Sequence, residues 1–185
     1  MRTSGENATI GRRLAAFLWD YALISGYLVC LVGLSYAAKP LLVPLFAGSP
    51  LKAEAVGFAF ITLPVFLYFA ICEASRAHAS WGKRKTGIQV AGSDGGPIGL
   101  GRSLGRSALK FAPWELAHFT VWHLTRPSAV PDAVVNGLLI VVYILVFAYL
   151  LSPLWSRKRQ TIYDRIAGTV VVTHGAPSNR KYKRP

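Results

Sequence analysis

The sequence predicts an all-α membrane protein, a four-transmembrane-helix bundle with a small cytoplasmic β-hairpin element. Three observations lead there. Long apolar runs recur at 14–37, 56–75 and 133–154, each near the ~20 residues that cross a hydrocarbon core of about 30 Å as helix. Hydrophobic residues make up 52% of the chain and mean hydropathy is +0.37, with charge gathered at the ends of the runs instead of alternating as on soluble helices. The basic residues are also unevenly shared. Of 21 Lys/Arg, three lie in 1–13, six in 76–106 and eight in 157–184, against only Lys39, Lys52 and Arg126 in the other two connections. That is the positive-inside pattern, so the net charge of +13 reads as an orientation signal and argues against a nucleic-acid partner.

The first span opens as GRRLAAFLWD (11–20) and meets no further charge until Lys39. It is too long for a signal-peptide core and holds an acid, so it reads as an anchor. The connection AKPLLVPLFAGSPLKAEA (38–55) has three prolines and no helical period, which predicts an apolar outer loop. The second span, 56–75, closes at Glu73.

The 76–106 connection carries SWGKRKTG (80–87), in which Ala77 stands where a phosphate loop needs glycine. Lys83 and Arg84 therefore read as a solvated basic loop near anionic headgroups. GIQVA (87–91), SDGG (93–96) and PIGL (97–100) read as strand, turn and returning strand, and TVVVTH (169–174) as a third strand beside them.

SALKFAPWELAHFTVWHLT (107–125) is apolar and aromatic but holds Lys110, Glu115, His118 and His123, so periodicity allows a span or an interfacial helix. Parity decides. The amino terminus, the 76–106 loop and the basic tail 157–185 all ask for the cytoplasm, and four spans satisfy all three. Three spans with an interfacial helix at 103–125 put Arg157, Lys158 and Arg159 outside. After the last span, 133–154, Thr161 and Asp164 stand at capping-box spacing before a short helix at 162–167 that Gly168 stops. Residues 1–185 then form one membrane domain.

The ionisable residues narrow the function. Arg13 and Asp20, seven apart, share a helix face, with Asp20 about 10 Å deeper. A carboxylate at that depth costs a few kcal/mol unless it has a partner, and the expected partner is an arginine from this helix or the third. Arg102 and Arg106 open the third helix on one face, within reach of Glu73 or Asp20, and Asp164 meets Arg13 if the short helix turns back. The expectation is an ionic network of Arg13, Asp20, Glu73, Arg106 and Asp164 in one leaflet, serving either to fix helix packing or to handle protons and cations. No Ser/His/Asp or Cys/His arrangement suggests catalysis. Glu115 and His118 lack the second copy a di-iron bundle needs, and Cys30 and Cys72 lie in apolar runs. No enzyme activity, metal or cofactor is expected.

GRRLAAFLWD, then SWGKRKTGIQV with DGGPIGLGRSLGR, then RQTIYDRIAGTVVV, resemble the three signatures of the RDD family of membrane proteins. That family is named for an Arg and an Asp in its first helix and an Asp near its last. The spacing assigns these to Arg13, Asp20 and Asp164, while Lys85 departs from the apolar residue more usual there. The resemblance implies a small bacterial inner (plasma) membrane protein, with cation/proton exchange proposed for some members. Two functions are carried forward. One is exchange of Na⁺, K⁺ or Li⁺ for protons through Asp20, with Arg13 and Asp164 setting its protonation. The other is a membrane scaffold or assembly factor whose basic face binds protein partners or anionic lipid. So narrow a bundle implies a homo-oligomer if it transports.

Overall fold

The computed structural model describes residues 6–173. Its elements run α1 (Ile10–Ala37), α2 (Lys39–Phe46), α3 (Pro50–Gly57), a π-helical turn (Phe58–Thr62), α4 (Leu63–Ala74), α5 (Trp81–Lys85), β1 (Ile88–Gly92), α6 (Leu100–Thr125), α7 (Asp132–Trp155), α8 (Ile162–Ile166) and β2 (Thr169–Thr173). Among the described residues, three helices are long and apolar enough to cross a membrane: Ile10–Ala37, Pro50–Ala74 and Asp132–Trp155. The 26-residue α6 matches them in length, but its Arg102, Arg106, Lys110 and Glu115 set it apart in composition.

The connection expected to be an outer loop is helical instead, as α2 and α3. Its prolines explain why. Pro40 and Pro50 sit in first turns, where the missing N–H has no partner to lose, and the Ser49 hydroxyl caps α3 by accepting from Lys52 N.

Inside the long helices, prolines free carbonyls that hydroxyls then satisfy. Pro64 cannot donate to Phe60, and the Tyr27 hydroxyl does so next to the π-helical turn. Pro113 leaves the Leu109 carbonyl, which accepts from the Tyr149 hydroxyl at 2.9 Å. Pro153 leaves the Tyr149 carbonyl, which accepts from Ser152 Oγ at 3.1 Å. A segment without water needs this accounting for every backbone group.

α6 lies between α4 and α7, whereas α1 packs chiefly on α5. Along α1 only Ala16 and Asp20 are buried, so its apolar residues point outward. The fully buried Ser103 and Ser107 of α6 let it approach α4 closely, and Ser103 Oγ donates to the Ala70 carbonyl at 2.8 Å.

The β element also departs from expectation. β1 pairs antiparallel with β2, Val90 opposite Val171, and 97–100 forms no strand. Pro97 has no N–H for a ladder. A turn closed by Gly92 N to the Gly96 carbonyl leads instead to Gly99, which precedes α6. On the far edge of β2, Asn7 bridges Val172, and Ala8 N donates to the Val171 carbonyl. Beneath the sheet lies a small core of Ala8, Ala16, Ile88, Val90, Ile98 and Val171. The expected third strand therefore becomes the centre of the sheet, joining the two ends of the described chain.

Candidate functional site

The close packing of α6 on α4 brings Arg106 against Glu73, both essentially unexposed. Arg106 Nη1 donates to Glu73 Oε2 at 2.5 Å, and its Nε and Nη2 donate to Asp164 Oδ1 at 2.9 and 2.7 Å. One guanidinium thus bridges two buried acids, a geometry its rigid fork of donors suits. The second oxygen of Glu73 accepts from Lys83 Nζ at 2.7 Å. Asp164 Oδ2 accepts from Arg13 Nη1 at 3.3 Å and Thr161 N at 3.2 Å, the latter as half of the capping box of α8. Gly168, at φ +62°, then turns the chain into β2. Tyr163 lies beneath Arg106, its ring centroid 5.1 Å from the guanidinium carbon.

Burial pushes the Asp164 carboxyl up, but Arg106 and Arg13 with their hydrogen bonds outweigh it and hold the group below the usual carboxylate range. Burial raises the neighbouring Tyr163 phenol.

Asp20 is held differently. Its Oδ2 accepts from Ser80 Oγ at 2.6 Å, and its Oδ1 from the Tyr68 hydroxyl and Gly82 N, both at 2.8 Å. The Tyr68 hydroxyl in turn accepts from Trp81 N at 2.8 Å. The start of α5 is therefore pinned to α1 through one carboxylate. A Cβ at Gly82 would lie 2.1 Å from the Ala16 carbonyl oxygen and 2.8 Å from Asp20, so only glycine permits the approach.

Two sequence expectations need correcting. Among the described residues no arginine meets Asp20. Arg13, on the same face of α1, bonds Asp164 instead, and Arg106 is taken by Glu73 and Asp164. Three fixed neutral donors suffice. Lys83 is not a solvated loop residue either, since it is buried on α5 and paired with Glu73; its neighbour Arg84 is exposed. Arg102 stands beside Gly92 at the sheet, apart from the network.

Sequence reasoning missed Tyr68, Ser80 and Gly82 as site residues, although serine is a residue type that begins helices and Ser80 precedes α5. It also passed over Lys110, whose ammonium sits 3.0 Å from the centroid of the Phe69 ring with no hydrogen-bond acceptor among the described residues. Further along α6, Glu115 accepts from the Thr62 hydroxyl at the end of the π-helical turn and lies 3.5 Å from His118 Nδ1.

Beside the network a cavity of about 520 Å³ opens between α1 on one side and α6 with α7 on the other, with Arg13, Asp20, Lys83, Arg106 and Lys110 on its walls.

The sequence model of the RDD family matches residues 7–168, taking in every residue of this network. The chain belongs to the RDD family. In this RDD protein the signature Arg13 and Asp164 are bonded to each other, while the signature Asp20 is bonded to neither. Comparison with curated proteins and with solved structures gives no match.

Proposed function

We propose that this RDD protein is a non-enzymatic, four-span protein of the bacterial inner membrane with both termini in the cytoplasm. In this reading its ionic network locks α5, α8 and the sheet onto the bundle, as a membrane scaffold or assembly factor requires. The carrying observation is that every oxygen of Asp20, Glu73 and Asp164 already accepts from at least one fixed donor, so a cation competes with these donors for the carboxylates. The fourth span is supported by the inward turn of the polar residues of α6: Arg106 onto Glu73, Lys110 over Phe69, Glu115 onto Thr62. Arg84, Lys85, Arg157 and Lys158 are exposed, which suits them to anionic headgroups or acidic partners. The exposed apolar face of α7 suits lipid or a second copy of the chain.

A second reading, exchange of cations for protons through Asp20, is favoured by one observation: Asp20 lines the cavity. A pH-gradient assay in proteoliposomes with Na⁺, K⁺ or Li⁺ separates the two. The scaffold reading expects no proton flux with wild type or Asp20→Asn, both inserted and folded. Antiport expects exchange by the wild type that Asp20→Asn abolishes.

A further inference from the structure

Around the charged end of the cavity, four cations stand against three carboxylates. Arg13, Lys83 and Arg106 are taken up by Glu73 and Asp164, and Asp20 is satisfied by neutral donors. Of the four, Lys110 has no carboxylate within ion-pair distance among the described residues. Its ammonium faces the Phe69 ring and the cavity, and Arg13, which lines the same cavity from α1, has its Nε buried without an acceptor among the described residues. A ring face attracts an ammonium but does not neutralise it, and at membrane depth an uncompensated cation is costly.

Away from these groups the walls turn apolar, with Leu14 and Phe17 on α1, Ala117 on α6, and Val142 and Val146 on α7. Between Leu154 and Val142 the cavity follows α7 for about 18 Å by helical rise. That is close to the hydrocarbon depth of one leaflet, about 15 Å. Leu14, Phe17, Leu150 and Leu154 line it yet are exposed, so its mouth opens sideways between α1 and α7, where hydrocarbon surrounds a membrane protein.

We propose that this cavity binds an anionic phospholipid of the surrounding leaflet, one acyl chain lying between α1 and α7 and the phosphate resting on Lys110 and Arg13. The fit combines an apolar slot one leaflet deep, a lateral mouth and an unpaired ammonium at the charged end. The site is separate from the exposed basic residues of the scaffold reading, and it shares with that reading the membrane placement and the anionic headgroup chemistry.

Trp114 lines the cavity and reports on it. The test reconstitutes full-length protein in vesicles containing acyl-brominated phosphatidylglycerol or acyl-brominated phosphatidylcholine. Quenching of Trp114 is isolated by subtracting the Trp114→Phe variant. The expected result is half-quenching at an about tenfold lower mole fraction of the anionic lipid, the scale of one charge-assisted contact. Lys110→Met should abolish that preference without lowering the thermal midpoint, because it removes an unpaired cation, and Lys110→Arg should retain it. Equal quenching by both lipids in the wild type overturns the proposal, as does a preference that survives Lys110→Met. Absence of quenching together with an intermolecular disulfide at Leu154→Cys assigns the cavity to a second copy and also overturns it. Ion flux tests the scaffold reading and bromolipid preference tests this site, so either can fail alone.

Discussion

Asp20 and Asp164 are both buried at the sheet end of the bundle, and the two regions hold their carboxylates in opposite ways. Around Asp164 the donors are largely charged, Arg106 and Arg13 arriving from α6 and α1. Around Asp20 they are neutral, two hydroxyls and a backbone N–H. The difference teaches where each region is fragile. An ion pair in a dry site depends on both partners, since losing one strands the other, whereas a cradle of neutral donors loses its strength piecemeal.

The largest break follows from Arg106→Met, which leaves Glu73 and Asp164 buried with only Lys83 and Arg13 against them. A loss of about 3–5 kcal/mol is expected, read as thermal unfolding in detergent or bilayer. A loss below about 1 kcal/mol would remove the structural role assigned to the network. Gly82→Ala comes next. Helix propensity alone would make it stabilising, but the new Cβ would press on the Ala16 carbonyl. The expected cost is about 1–3 kcal/mol, with faster amide exchange across α5. Tyr68→Phe removes one of three donors to Asp20 and the acceptor for Trp81 N, for about 1–2 kcal/mol by the same unfolding measurement.

Acid titration sharpens the contrast further. The folded Asp164 carboxyl lies below its ordinary value of about 4, so its contribution is fully present above that pH and is lost as pH falls through the folded value. Wild-type stability should therefore drop on acidification below about pH 4. Asp164→Asn, already weakened at neutral pH, should show a shallower acid limb. Identical acid limbs in the two proteins would show that Asp164 does not carry the effect.

Much of this was legible in the sequence. The long apolar runs mark the three helices able to cross a membrane, and Thr161 with Asp164 marks α8. The convergence of acids and arginines at one end followed from Arg13, Glu73, Arg106 and Asp164 all lying near helix ends on the basic side. Charge arithmetic could not say which acid each arginine takes. Pairing Arg13 with Asp20 looked natural from their spacing, yet the outcome depends on α5 folding back onto α1, a tertiary event set by Gly82 and Ser80. The prolines of 38–55 misled for a local reason, since Pro40 and Pro50 begin helices. The sheet misled for a topological one. β1 finds its partner almost eighty residues away, and no local pattern around Pro97 signals that.

The bond between Arg13 and Asp164 joins residues 151 apart, and β2 is held on one edge by Asn7 and Ala8. A ribosome delivers the chain from its amino terminus, so Arg13 and Arg106 emerge long before the acid they share. Until Asp164 and β2 are synthesised, the two arginines have only earlier acids such as Glu73 to meet, and the sheet has no central strand. The finished architecture is thus a clasp whose two halves are synthesised far apart in time, and a nascent protein stalled short of Asp164 carries its arginines without that counter-ion.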